Sequence, residues 1–259
     1  MTRFVPRVFA WVGGALFVGS LVFCAATYVV TWSTPARLDV NWRAVAIDTL
    51  LFSVFALHHS LFARDEIKRA LTRLVPGHLL QSTYVWIAAS LFFAVCALWR
   101  PIGGEVFQVT GARLVAHAVV QLLGLLLIAR AVAGIDALEL AGIRQVGNRV
   151  RLPPSRAERA SASLAEAFGG GGKPDATKAN VLQTGGVYRL VRHSLYLGWM
   201  LLVFGAAHMT GDRLAFAAVS VLYLVIAIPW EERSLRAAFG DEYVRYQGRV
   251  RWRMIPFIY

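Results

Sequence analysis

Residues 214–230 read LAFAAVSVLYLVIAIPW without a charged side chain, and the two residues that follow are Glu231 and Glu232. Because a helix needs about 20 apolar residues to cross a bilayer core, this stretch predicts a membrane helix that leads into a pair of carboxylates. Similar apolar runs cover residues 8–32, 43–63, 82–99, 114–135 and 195–209. The sequence therefore predicts an all-α fold, a polytopic membrane bundle of five to six transmembrane helices. The short fifth run would form a hairpin with the sixth.

The composition favours the same class of protein. Of the 259 residues, 57% are hydrophobic and 16% are charged, whereas soluble domains are about a quarter charged. The net charge is +12, and Lys and Arg concentrate near the N-terminus, in 64–73, in 144–192 and in 233–253. Since positively charged loops stay in the cytoplasm, we expect six passes with both termini cytoplasmic, in a bacterial inner membrane. This charge favours contact with anionic lipids over nucleic acid.

Changes in composition divide the chain into three parts. Residues 1–146 carry the first four apolar runs with short loops. Residues 147–180 include Pro153-Pro154 and a run of four glycines, a composition typical of a flexible segment. Residues 181–259 hold the last hairpin and the basic tail. We expect the middle part to be a cytoplasmic insertion and the last part to form a ligand pocket on the cytoplasmic side.

Ionisable groups flank the last hairpin on both sides. Residues 186–198 read GVYRLVRHSLYLG before it, and residues 231–246 read EERSLRAAFGDEYVRY after it. Such groups at a membrane helix are costly and tend to mark function. A carboxylate for an ammonium, an arginine for a carboxylate and aromatic rings for a cationic sulfur suit S-adenosylmethionine. A phosphate-bearing ligand would also use the arginines, and Tyr, His and Arg are also common where side chains snorkel to the headgroups.

Both segments resemble the signatures of the integral-membrane methyltransferases that include isoprenylcysteine carboxyl methyltransferase and phospholipid methyltransferases. The first is similar to G-x-Y-x-x-x-R-H-P-x-Y-x-G, with Ser194 where the family usually has proline, and the second to E-E-x-x-L-x-x-x-F-G-x-x-Y-x-x-Y. The resemblance implies an enzyme with S-adenosylmethionine bound on the cytoplasmic side. The implied cofactor contacts are Tyr188, Arg192, His193, Tyr196, Glu231, Glu232, Tyr243, Tyr246 and Arg249.

Three other segments indicate which group within this superfamily the chain resembles. HHSLFAR at 58–64, QSTYV at 81–85 and IDALELAGIRQ at 135–145 are similar to segments of methanethiol S-methyltransferases and of denitrification-associated membrane proteins. This implies methylation of a small thiol, methanethiol, to dimethyl sulfide. A thiol is largely protonated at neutral pH, as the pKa of about 8.5 for cysteine shows, so a base or a positive field is needed. The candidate catalytic residues are His58, His59, Asp136 and Glu231, and the candidate substrate contacts are His59, Tyr84, Asp136 and Glu139.

Two other functions are compatible with the sequence. The same cofactor could serve a lipid or isoprenylated acceptor, which would need a wide opening toward the membrane. Alternatively, histidines such as His58, His59, His117 and His208 could hold a haem or metal in a non-enzymatic accessory protein. We predict no metal site, because His117 and His208 are expected far from His58. The oligomeric state has no signal in the sequence.

Overall fold

The structure, a computed structural model, describes residues 4–62, 67, 70–133, 138, 143 and 182–259. We number its helices and strands in chain order. The helices are α1 Phe4–Val29, α2 Trp42–Phe62, α3 Leu80–Ala97, α4 Ala112–Val132, α5 Ser194–Phe204, α6 Gly211–Phe239 and α7 Asp241–Arg249. Short 3-10 turns cover Thr31–Ser33, Gly77–Leu79 and Gly186–Arg189. The strands β1 Glu105–Gln108 and β2 His208–Thr210 form one antiparallel pair.

Five helical segments of the described chain are long and apolar enough to cross a membrane. They are Phe4–Ser33, Trp42–Phe62, Gly77–Ala97, Ala112–Val132 and Gly211–Phe239. Helix α5 has 11 residues, a length of about 17 Å, and ends before the predicted run does because the chain turns into β2. The prediction of an all-α membrane bundle is confirmed, with a small strand pair that the apolar runs did not indicate.

The connections between helices meet at one end of the bundle, which contains β1 and β2 and which we call the strand end. There β1 joins α3 to α4 and β2 joins α5 to α6. Helix α1 ends at the same place, since Thr210 Oγ1 donates to the Trp32 carbonyl at 2.7 Å. Helix α2 begins there, since the Asn41 amide donates to the Ile102 carbonyl at 2.8 Å. The opposite end, which we call the site end, therefore contains the end of α2, the start of α3, the end of α4, the start of α5 and the end of α6.

Buried charges hold α6 in place at the strand end. Asp212 lies in the first turn of the helix and accepts a hydrogen bond from Trp99 Nε1 at 3.0 Å. Arg213 is also buried and donates to the Tyr28 carbonyl at 3.0 Å. Because buried charges need such partners, these bonds fix the position of α6 against α1 and α3. The helix then delivers Glu231 to the site end.

Helices α4 and α5 bring their backbones into close contact at two glycines. A Cβ atom added to Gly198 would lie 2.8 Å from the Gly124 carbonyl oxygen, and one added to Gly124 would lie 2.7 Å from the Gly198 oxygen. Small residues allow membrane helices to bring their backbones into contact. This contact fixes α5, whose first residues belong to the candidate site.

We expect Gly198→Val to force α4 and α5 apart and to lower the thermal unfolding temperature in detergent. Overpacking of this kind typically costs about 1–3 kcal/mol. A Cβ atom at Gly19 in α1 would meet nothing within 4 Å, so Gly19→Val is the matched control and should unfold near the wild-type temperature. Equal unfolding temperatures for the two variants would contradict the close contact.

Candidate functional site

The segment before α5 is shaped by local hydrogen bonds. The 3-10 turn Gly186–Arg189 is followed by non-helical backbone at His193, with φ −112° and ψ 61°. Ser194 is buried, and its hydroxyl lies 2.8 Å from the Val187 carbonyl and 3.0 Å from the Val191 carbonyl, to either of which it donates. The start of α5 is therefore tied to the preceding turn by a hydrogen bond at the position where the resembling family usually has proline.

Helix α6 carries the two adjacent glutamates on different faces. The helix continues through Pro229 to Phe239 and ends at Gly240, whose φ of 51° favours glycine. Successive residues of a helix point about 100° apart, since a turn takes 3.6 residues. As a result the Glu231 side chain is 43% exposed and the Glu232 side chain is 5% exposed.

Glu232 is the centre of a buried ion-pair network. Arg192 places Nε and Nη2 each 2.7 Å from Glu232 Oε1, and its own side chain is 6% exposed. Gln247 Nε2 donates to Glu232 Oε2 at 3.2 Å, and Arg253 Nε lies 3.5 Å from the same oxygen. Arg192 Nη1 also donates to two carbonyls of the C-terminal tail, at 2.7 and 2.8 Å. The network joins the start of α5, helix α6, helix α7 and the tail.

Glu231 is partly exposed and lies beside two stacked rings. Its Oε2 accepts a hydrogen bond from the Tyr196 hydroxyl at 2.7 Å and lies 3.4 Å from His193 Nδ1. The His193 and Tyr196 rings stack with centroids 5.3 Å apart. Burial by itself would lower the pKa of His193, but its contacts with Glu231 and Glu232 outweigh burial and raise the pKa of the imidazole. The arrangement favours a positively charged His193 between the two carboxylates.

The tyrosines of the two segments lie at the same end of the bundle. Tyr246 donates to the Tyr188 carbonyl at 2.7 Å, and Tyr188 donates to the Ala131 carbonyl at 3.3 Å. Tyr243 is 1% exposed, and its hydroxyl has no hydrogen-bond partner within the described ranges. Burial raises the pKa of Tyr243 to about 12, so this hydroxyl stays protonated and can donate. Arg249 lies in the last turn of α7.

A second group of side chains reaches the site end from α2 and α3. His59 is exposed, its Nδ1 lies 2.6 Å from the Tyr84 hydroxyl, and it interacts electrostatically with Glu231. The His58 ring packs against Phe62 and Tyr84, with centroids 4.6 and 5.7 Å apart. Both His58 ring nitrogens are buried without a hydrogen-bond partner among residues 4–62, 70–133 and 182–259. The predicted candidates Asp136 and Glu139 lie outside the described residues.

Two residues of the network were not singled out from the sequence. Gln247 and Arg253 reach Glu232 only because α7 and the tail fold back along α6, and no motif spacing indicates that contact. At the strand end, His117 Nδ1 lies 3.1 Å from the Gly205 carbonyl and His208 Nε2 lies 3.0 Å from Glu105. In the described part of the chain, no group of three or more His, Cys, Asp or Glu side chains is arranged to hold a metal ion.

Comparison with known proteins finds relatives along nearly the whole chain. The protein is 33% identical over 254 residues to "Methanethiol S-methyltransferase 1" of Bradyrhizobium diazoefficiens, covering 96% of this chain and 81% of the relative. It is 30% identical over 253 residues to "Methanethiol S-methyltransferase 2" of the same organism, covering 96% of this chain and 89% of the relative. A shorter match of 36% identity over 80 residues, 30% of this chain and 40% of the relative, is to "Protein-S-isoprenylcysteine O-methyltransferase B" of Arabidopsis thaliana.

Family models and solved structures give no match. No protein-family model matches the chain. No solved structure matches it significantly. The long relatives nevertheless confirm the predicted superfamily and the predicted enzyme class, because their similarity extends over the described helices and not over one motif alone. The chain therefore belongs to the methanethiol S-methyltransferase family of integral-membrane methyltransferases.

Proposed function

We propose that this membrane methyltransferase transfers the methyl group of S-adenosylmethionine to a small thiol, methanethiol, and releases dimethyl sulfide. The observation that carries the proposal is the half-exposed Glu231 carboxylate beside the stacked rings of His193 and Tyr196. The names of the long relatives support the acceptor. The fold supports the proposal because it brings both segments of the resemblance to one end of the bundle.

The exposed residues at the site end fit the chemistry of the donor. S-adenosylmethionine carries an ammonium group and supplies a methyl group on a positively charged sulfur. Within the described ranges Glu231 Oε1 has no hydrogen-bond partner, so it is free to accept from an ammonium group. The Tyr196 ring, stacked on His193, presents aromatic surface that suits a sulfonium. Among the described residues, the buried Tyr243 hydroxyl is a further donor without a hydrogen-bond partner.

Other residues implied by the resemblance serve to shape the pocket. Arg192 uses its donors on Glu232 and the tail carbonyls, so we assign it the role of holding Glu232 and the tail in place. Tyr188 and Tyr246 connect the turn before α5 to α7 and to α4. For Arg249, the proposed role in cofactor binding rests only on the family resemblance.

The acceptor is proposed to bind at the site end, between the end of α2 and the start of α3. Phe55 and Tyr84 lie beside His59, with ring centroids 5.9 Å from its own, and supply apolar surface for a small thiol. Among the predicted substrate and catalytic residues, His58, His59, Tyr84 and Glu231 are at this end, while Asp136 and Glu139 stay proposals from the sequence. Holding a thiolate in line with the methyl group can lower the barrier by roughly 7–11 kcal/mol.

We place the site end on the cytoplasmic side of a bacterial inner membrane. The basic tail at 249–253 belongs to the site end, and basic segments stay cytoplasmic. Both ends of the described chain lie at this end, since α1 runs toward the strand end and the tail packs against Arg192. The insertion at 147–180 is proposed to lie on the same side.

The proposal predicts which acceptor is methylated. The purified protein is supplied with S-adenosylmethionine radiolabelled in its methyl group, together with either methanethiol or S-farnesylcysteine. We expect a volatile labelled thioether from methanethiol and no base-labile methyl ester on S-farnesylcysteine. If only S-farnesylcysteine became labelled, the acceptor would be an isoprenylated molecule and not a small thiol. Transfer to neither acceptor would contradict the proposed function.

A further inference from the structure

The contact between His59 and Tyr84 places a base where the acceptor thiol is proposed to bind. His59 lies in the last turn of α2 and Tyr84 in the first turns of α3, and their polar atoms are 2.6 Å apart. Which ring nitrogen of a histidine is protonated depends on the hydrogen bond that the other nitrogen makes. A contact at Nδ1 therefore determines what the second nitrogen, Nε2, can do.

The two neighbouring histidines differ in access. Both ring nitrogens of His58 are buried and have no hydrogen-bond partner within the described ranges. His59 is exposed, and no hydrogen bond engages its Nε2 in the described part of the chain. A base must be within reach of the proton that it removes. Of this pair, only His59 has an exposed side chain, with an Nε2 that no described residue engages.

We infer that His59 takes the proton of the acceptor thiol at Nε2 and that Tyr84 is the positioning residue that holds the imidazole by its Nδ1. This inference rests on the proposed function. It requires the tautomer in which Nδ1 carries hydrogen and donates to the Tyr84 oxygen. Glu231, which interacts electrostatically with His59, stabilises the imidazolium that forms.

The step balances in atoms and charge. The S–H bond of the thiol breaks and its proton goes to His59 Nε2. The thiolate sulfur then forms a bond to the methyl carbon while the bond from that carbon to the sulfonium sulfur breaks, and the electron pair of that bond stays on the donor sulfur. The products are a methyl thioether, neutral S-adenosylhomocysteine and a protonated His59, which releases its proton to water at the exposed site end.

The pH dependence of the methylation rate is expected to follow from the groups around His59. The titratable groups that interact with the ring are His58 on its own helix, Tyr84 on α3 and Glu231 on α6. The wild-type rate should therefore level off once His59 is neutral. A variant without the imidazole should instead gain rate as the pH approaches the pKa of the thiol, because only the thiolate formed in solution can react.

The test compares two thiols of similar size and different acidity, ethanethiol and 2,2,2-trifluoroethanethiol. We expect His59→Ala and His59→Gln to lower kcat for ethanethiol at about pH 7 by roughly a hundredfold or more, the range for general bases. The deficit should shrink for the acidic thiol and at about pH 9, where more thiol is ionised. Tyr84→Phe should lose about tenfold, the equivalent of one hydrogen bond, and its deficit should shrink in the same way.

Two controls separate this inference from the proposed function. Affinity for S-adenosylhomocysteine, measured by calorimetry, should be unchanged in the His59 and Tyr84 variants, and His78→Ala, at another exposed histidine, should keep wild-type rates. An equal deficit for both thiols at every pH, or wild-type rates in His59→Gln, would overturn the role of His59. A wild-type protein that methylates neither of these thiols nor methanethiol would instead overturn the proposed function, and the inference with it.

Discussion

Glu231→Gln is expected to weaken binding of S-adenosylhomocysteine by roughly ten- to hundredfold, because it removes the charge proposed to accept the ligand's ammonium group. A hydrogen bond to a charged group contributes about 1.5–3 kcal/mol, and each 1.4 kcal/mol is about tenfold in affinity. The thermal unfolding temperature should stay near wild type, since the Glu231 side chain is 43% exposed and glutamine can still accept from Tyr196. Titration calorimetry and thermal unfolding in detergent measure the two quantities.

The adjacent carboxylate supplies the matched control. Glu232→Gln leaves the buried Arg192 guanidinium without its anion, so this variant should lower the unfolding temperature markedly. The same Glu-to-Gln change at two adjacent positions thus distinguishes a ligand contact, which affects binding, from a structural ion pair, which affects stability. If Glu231→Gln binds S-adenosylhomocysteine as tightly as wild type, Glu231 does not contact the cofactor.

Arg192→Ala is expected to cost about 3–5 kcal/mol of stability, the range for breaking a buried ion pair by removing one partner. The loss should be concentrated at the C-terminal end, because Arg192 also holds two tail carbonyls. Hydrogen exchange should therefore speed up most in α7 and the tail. Thermal unfolding and exchange measured by mass spectrometry check the size and the place of the effect.

Arg253→Ala is the control for the Arg192 variant, since both arginines approach Glu232. The Arg253 side chain is 37% exposed and lies 3.5 Å from the carboxylate, so its removal should cost at most about 1 kcal/mol, as for other partly exposed pairs. A similar loss in the two variants would mean that Glu232 is not held mainly by Arg192.

The bundle was predictable because apolar length is a strong signal. The run at 214–230 lies inside α6, and the runs at 43–63 and 114–135 agree with α2 and α4 to within a few residues. The fifth predicted helix was too long. Helix α5 ends at Phe204, but the apolar residues of the run at 195–209 continue into β2. Short strands of three or four residues carry too little pattern to be seen within such runs.

The sequence indicated that the two segments meet at one end of the bundle, but it did not indicate how their side chains contact one another. The spacing of the two segments placed His193 and the glutamate pair at one end of the bundle. It could not indicate that Glu231 is exposed and Glu232 buried, because that depends on how α6 is rotated against α5 and α7. The contacts of Gln247 and Arg253 depend on the turn at Gly240 and on the folded tail, which are long-range features without a local pattern.

The site end is proposed to transfer a methyl group from S-adenosylmethionine to a thiol. Mass spectrometry of the headspace tests this transfer, with purified protein supplied with methanethiol and with S-adenosylmethionine whose methyl group carries three deuterium atoms. We expect the wild type to release dimethyl sulfide with one fully deuterated methyl group, and Glu231→Gln to release much less. Folded protein that binds S-adenosylhomocysteine and yet releases no deuterated dimethyl sulfide would contradict the proposed methyl transfer.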